Sequence, residues 1–109
     1  MLVPPEDVWW FARTTTAEVV VTVAATDTPF VPYDRSRVAL MIAPPGSSTI
    51  NLSWGGKATL NQGAQLTSAS APLLLTIVQH GVMVHGPIRA IGALGGIVCT
   101  YIETCAPIT

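Results

Sequence analysis

Charge is what this sequence has least of. Of its 109 residues, 5 are Lys or Arg and 6 are Asp or Glu, so 10% are charged, where about 25% is usual in soluble domains. A folded monomer of this mass exposes roughly 5,800 Å², which leaves about one charge per 500 Å². So few charges give a freely diffusing monomer little protection from association. The composition favours a protomer largely covered by copies of itself or by a partner. The five cations, Arg13, Arg35, Arg37, Lys57 and Arg89, form no run, and the formal net charge is -1. There is no basic field for a phosphate backbone, and nucleic acid is not an expected partner.

Long apolar runs are missing as well. Residues 58 to 88 contain no charged side chain but are broken by Asn61, Gln62, Gly63, Gln65, Ser68, Ser70, Pro72 and His80. The uncharged run from Ala90 to Ile102 is Gly-rich and shorter than the roughly 20 apolar residues a membrane helix needs, so no membrane association is expected. The start, Met1-Leu2-Val3-Pro4-Pro5-Glu6-Asp7, lacks the basic and apolar regions of a secretory signal. The length suits one core and not two.

Cysteine is sparse: Cys99 and Cys105 are too few for a disulfide framework. On an extended strand they would lie roughly 20 Å apart, beyond the reach of a disulfide. Two reduced, partly buried thiols are therefore expected, the alternative being a bridge that closes the tail if the chain turns near Thr104. With His80 and His85 these are the only soft ligands, and they show neither the paired spacing of structural zinc nor a third convergent ligand. His80 is expected to cap a turn and His85 to end a strand, with no metal and no cofactor.

Catalytic signatures are lacking too. No G-x-S-x-G elbow occurs, and the acids Glu6, Asp7, Glu18, Asp27, Asp34 and Glu103 are scattered. Gly55-Gly56-Lys57-Ala58 fails the phosphate-loop pattern, with Asn51 and Ala58 where Gly and Ser/Thr are required. Cys99 lies in an apolar run, which raises a thiol's pKa and makes it a core residue. No enzymatic activity is expected.

What is present is β-sequence. Glu18 to Ala25 is β-branched and ends at the Asp27-Thr28-Pro29 break; Val38 to Ala43 is a continuous apolar run ended by Pro44-Pro45-Gly46. Ile50, Leu52 and Trp54 alternate with polar residues up to Gly55-Gly56. Leu73 to Val78, Val82 to His85, Ile88 to Ile91 and Ile97 to Glu103 complete the set, with Gly92 to Gly96 as a hairpin turn and Asn61 to Ser70 as a packed loop. The predicted fold is all-β: an antiparallel β-sandwich or jelly-roll-like small barrel of about seven strands. It occupies residues 14–109, preceded by an aromatic arm, residues 1–13.

In that arm, Pro4-Pro5-Glu6-Asp7 and Arg13 frame a helical pattern around Val8-Trp9-Trp10-Phe11-Ala12. Helical residues fan out by about 100° each, so Trp9, Trp10 and Phe11 cannot all enter one small core. They are expected at an interface, the alternative being an arm folded back on the sheet. Arg37, which opens an apolar strand, is expected to be held by a carboxylate or by strand-end carbonyls, and is counted with the interface residues.

Several blocks form one pattern: Pro32-Tyr33-Asp34-Arg35-Ser36-Arg37-Val38-Ala39-Leu40-Met41-Ile42, Trp54-Gly55-Gly56, Leu73-Leu74-Leu75, His80-Gly81-Val82-Met83-Val84-His85-Gly86-Pro87-Ile88, and a closing strand ending in Glu103. From Phe30 to Glu103 this resembles a family of small phage virion proteins, the capsid decoration (cement) proteins and the bases of head and tail fibres. The aromatic start and the two-cysteine tail lie outside the match. The resemblance implies a β-sandwich or jelly roll without catalytic activity, commonly trimeric, in a virion assembled in the host cytoplasm. The implied partner is the major capsid protein or another virion protein. The competing class is a carbohydrate-binding module or tail and fibre adaptor, with Trp54, Asn51, Asn61, Gln62 and Gln65 lining a groove.

Overall fold

The β-branched and aliphatic runs form eight strands in a computed structural model, which describes residues 15–106. They are β1 (Thr15–Val23), β2 (Thr28–Val31), β3 (Arg37–Ile42), β4 (Thr49–Trp54), β5 (Ala64–Thr67), β6 (Leu73–Thr76), β7 (Ile88–Gly92) and β8 (Ile97–Cys105). A one-turn helix α1 (Ile77–His80) and a 3-10 turn η1 (Gly81–His85) follow β6. The strands make two four-stranded sheets, β1-β8-β3-β6 and β2-β7-β4-β5, with antiparallel pairing throughout. Consecutive strands switch sheets at every step except β4 to β5. This is the two-sheet jelly roll.

The core lies between the sheets. In β8 the alternation places Ile97, Cys99 and Tyr101 inward and leaves Val98 exposed. Leu40, Ile42 and Leu75 join them from the first sheet; Phe30, Val31, Ile50, Leu52, Leu66, Ile88 and Ala90 come from the second. Phe30 meets Tyr101 edge to face across the gap, with ring centroids 5.5 Å apart.

The structure departs from the sequence reading at five places. The Asp27-Thr28-Pro29 break is instead the entry to β2, where Pro29 is tolerated because β2 is an edge strand with an irregular register between Pro29 and Val31. Within the expected loop Asn61 to Ser70, Leu66 turns inward while Gln65 stays exposed, and β5 forms along β4. The strand beginning at Leu73 stops at Thr76 because that residue caps α1: its hydroxyl accepts from the Gln79 amide at 3.3 Å, and its own amide donates to His80 Nδ1 at 3.0 Å. Val82 to His85 is a 3-10 turn and not a strand, its carbonyls being taken by side chains described below. Finally, Gly92 to Gly96 is a crossover between sheets and not a hairpin, since β7 and β8 belong to different sheets. The helical pattern and arm ending at residue 13, with Trp9, Trp10 and Phe11, lie outside the described residues.

At that crossover the Gly92 amide donates to the Ala24 carbonyl at 2.9 Å, and the Ala93 amide to that of Thr49 at 3.0 Å. A Cβ on Gly92 would sit 2.6 Å from the Leu94 carbonyl oxygen and 2.7 Å from Ile97 Cδ1. Gly92→Ala is therefore predicted to cost about 1 to 3 kcal/mol by overpacking. A urea denaturation midpoint equal to that of the wild type would contradict this close approach.

Candidate functional site

Arg37 is placed by a register shift. Leu40 and Ile42 face inward, so strict alternation would send residue 37 outward; the irregularity between Arg37 and Ala39 against β8 reverses its direction. The side chain is only 1% exposed. Its Nε and Nη2 donate to Glu103 Oε2 at 3.0 and 2.8 Å. Nη1 donates to the carbonyls of Val84 (3.3 Å) and His85 (2.9 Å), and Nη2 also to that of Pro32 (3.0 Å). A guanidinium has five N–H donors, and these bonds use all of them.

Of the expected acceptors, a carboxylate or strand-end carbonyls, the carboxylate is Glu103; the carbonyls come from the turn η1 and the loop before β3 and not from strand ends, and the group is turned into its own protomer. No donor is left over for a neighbouring chain, so any part Arg37 plays at an interface is indirect. It gathers the loop before β3, the turn η1 and the end of β8. Around it the Asp34 amide donates to the His85 carbonyl at 2.9 Å, and the Ala106 amide to the Ser36 carbonyl at 2.8 Å. Asp34 Oδ1 accepts from the Ser36 amide (2.9 Å) and hydroxyl (2.6 Å). The sequence reading left Glu103 among the scattered acids; its one visible signal was a place near the end of the last strand.

Beside this clasp, Asp34, Glu103 and Cys105 bring ligand atoms within 4.8 Å of one another. The Cys105 thiol points at Asp34 Oδ2 (3.7 Å) and Glu103 Oε1 (3.9 Å). A metal would need the thiolate, whereas burial first, and then the Glu103 and Asp34 charges, push this thiol's pKa up despite the Ser36 hydrogen bond. A cation would also have to share Glu103 with Arg37. The arrangement is a thiol donating to carboxylates, not an open ligand set. The histidines stand apart from it: His80 closes the turn after Thr76, and His85, at the end of η1, packs edge to face on Tyr33.

Both cysteines are free thiols; β8 stays extended through Cys105, which keeps Cys99 away from it. Burial pushes the Cys99 thiol up. Of the residues weighed for a sugar groove, Asn51 and Gln65 are paired across β4 and β5. Trp54 packs against the core, with Nε1 donating to the Met83 carbonyl at 3.0 Å. Asn51 is buried between Ile91 and Gln65, while Asn61 and Gln62 lie in an exposed turn.

The surface is the more informative site. Arg89 pairs with Asp27 (Nη2 to Oδ2, 2.7 Å), whose Oδ1 also accepts from the Ala58 amide at 2.8 Å and so pins the loop after β4. This pair and Arg37–Glu103 consume four of the eight charged side chains among the described residues; Glu18, Arg35 and Lys57 are the exposed ones. On the outer face of the first sheet one row reads Glu18, Ile102, Met41, Leu74 and the next Thr16, Thr104, Ala39, Thr76. Val20 and Val98 are exposed nearby, and Glu18 is the one charge on this face among the described residues. Its edge, β1, is nine residues long, pairs with β8 without a bulge, and contains neither Pro nor Lys. Edge strands usually carry such protection against pairing with another chain. Past β6, Ile77, Val78, Val82 and Met83 form an exposed apolar projection. Sequence reasoning missed it by treating these residues as strands; Gly81 inside an uncharged run without alternation was the available signal.

Two predictions follow from the clasp and its neighbours. Removing one partner of a buried ion pair typically costs about 3 to 5 kcal/mol, so Arg37→Ala is expected to lower stability by about 3 kcal/mol or more. Arg37→Lys should not restore it, because an ammonium offers three donors and no planar fork; a wild-type denaturation midpoint in either variant would refute the clasp. The second concerns acid. The Ser36 hydroxyl and then its amide hold the Asp34 carboxyl below its ordinary 3.8, and Arg89 and then the Ala58 amide do the same for Asp27. Folded pKa values below the unfolded ones stabilise the protein above pH 3.8, and this contribution fades as pH falls through the lowered values. The Asp27→Asn/Asp34→Asn variant should show a shallower loss of stability below that pH; an unaltered acid profile would contradict the assignment.

Compared with protein-family models and with curated proteins, the sequence matches none. Among solved structures it is similar to a chain described under "Bacillus endospore appendages form a novel family of disulfide-linked pili", at 12% identity and a TM-score of 0.52, over 84% of this chain and 82% of that one. At that identity the likeness establishes a shared fold, a small two-sheet all-β domain.

Proposed function

We propose that the chain is a non-catalytic structural subunit that self-associates and coats or joins a larger protein assembly, with decoration of a phage capsid as the form its sequence resemblance favours. The observation that carries this reading is the outer surface of the first sheet. Eight residues of β1, all but Glu18, are uncharged, the edge is unguarded, and the four-strand face beside it presents Thr, Val, Leu, Met and Ile. Apolar surface rimmed by few charges is what a repeated subunit buries against its copies. Jelly rolls recur in capsid and lectin domains alike, so the fold is compatible with this reading without deciding it.

In this reading the protomers form a trimer, the aromatic residues Trp9, Trp10 and Phe11 act as anchors between chains, and the coated partner is a major capsid protein or another virion protein. A second reading, a subunit of a fibrous appendage, is favoured by the likeness to the pilus protein. Its disulfide linkage would have to use Cys105, at the half-buried end of β8, because Cys99 is buried.

Light scattering tests the assembly. The expected mass is roughly three times 11.4 kDa; a monomer at micromolar concentration would overturn the proposal. Deleting residues 1–13 should leave a β-rich circular dichroism spectrum while abolishing co-sedimentation with empty capsids or weakening the trimer. Unchanged mass and shell binding would remove the anchoring role, and a ladder of disulfide-linked multimers on a non-reducing gel would favour the appendage.

A further inference from the structure

We propose that the apolar projection after β6 is the acceptor for the aromatic segment Val8 to Phe11 of this same polypeptide. The projection comprises Ile77, Val78, Val82 and Met83, with Leu74 exposed on the strand leading into it. Val78 is 91% exposed and Val82 76%. Valine side chains are that exposed on few stable monomers unless something covers them, and a cluster of them marks a contact surface. Its chemistry selects an apolar occupant: residues 58 to 88 carry no charge, the titratable side chains within the segment are His80, whose Nδ1 is taken by the Thr76 amide, and His85, which packs on Tyr33, and the Arg37 guanidinium behind η1 is turned inward.

The occupant is identified by what remains of the chain and where it joins the fold. Fourteen residues precede Thr15, and their one aromatic stretch is Val8-Trp9-Trp10-Phe11-Ala12, set between Glu6-Asp7 and Arg13. They join β1 at the same end of the molecule as the projection. Thr15 is opposite Cys105, Cys105 is opposite Arg37, and the Arg37 guanidinium holds the carbonyls of Val84 and His85 in η1. From β1 to β6 is three strand spacings, about 14 Å, and the five residues from Thr15 back to Trp10 reach about 17 Å when extended. An extended connection is therefore long enough to bring the segment to the projection of its own protomer. Buried Trp and Phe side chains cover 150 to 250 Å² each, enough to cover the exposed valines.

The acceptor surface is independent of the trimer proposed above, since it serves whichever copy of the chain supplies the segment. Tryptophan fluorescence of the full chain tests it. Trp54 is the one other tryptophan, so subtracting the spectrum of a Trp9→Phe/Trp10→Phe variant leaves the emission of Trp9 and Trp10. That emission should be blue-shifted and shielded from acrylamide in the wild type, then red-shifted and readily quenched in Val78→Glu and Val82→Glu. Both sites are solvent-exposed, so circular dichroism should stay unchanged; if either Glu variant unfolds, the Ser variants serve, with a smaller red shift expected. Leu94→Glu, in the exposed crossover at the opposite end of β8 and off the first sheet, should move nothing. Water-exposed Trp9 and Trp10 in the wild type would overturn the inference, as would shielded ones indifferent to residues 78 and 82. Loss of shielding with the trimer intact would confirm the acceptor without touching the assembly reading, whereas shielded tryptophans in a monomer would confirm the acceptor and overturn the trimer.

Discussion

Once taken out of water, the Arg37 guanidinium needs an acceptor for each of its five donors and a negative partner for its charge. Three carbonyls and Glu103 supply them from three pieces of chain: the loop before β3, the turn η1, which gives two of the carbonyls, and the last strand. A jelly roll closes its core mainly through the apolar faces of its sheets, and this end would otherwise be three loose segments with unpaired carbonyls. The clasp gives η1 a fixed position. The exposure of the valines depends on that, because Val84 is held inside while Val82 and Met83 are left outside.

The same economy of charge shapes the surface. A second ion pair, Asp27 with Arg89, fastens the loop after β4 through the Ala58 amide. With both pairs engaged in holding loops, few charges remain to keep protomers apart, and among the described residues the outer face of the first sheet carries only Glu18. A partly exposed pair such as Asp27–Arg89 contributes little to stability. Its effect is on placement, and an unguarded edge strand lies beside a weakly polar face.

How much of this the sequence displays depends on the range of the interaction concerned. Local patterns are legible: the alternation of Ile50, Leu52 and Trp54 and the continuous run from Val38 mark β4 and β3 nearly to the residue. A buried Arg at a strand start announces a need for acceptors, yet Glu103 is its partner only because β8 lies beside β3, a fact of topology. The misread segments share one cause. Leu73 to Val78 and Val82 to His85 have strand-forming side chains, but Thr76 capping and the carbonyl contacts to Arg37 and Trp54 convert the latter part into helical turns. Edge strands β2 and β5 are short and carry Pro29 or Gln65, so tertiary pairing overrides a weak local signal.

The central claim is that the first sheet is an assembly surface, with its β1 edge buried between copies. Amide hydrogen exchange on β1 in the assembled protein tests this most directly. In a lone protomer, alternate β1 amides face away from β8 and have no strand to bond, so they exchange readily while their neighbours are protected. The account predicts protection along the whole of β1 in the assembled protein, lost in the alternate amides on dilution to monomers. Rapid exchange of those amides at every concentration would contradict it.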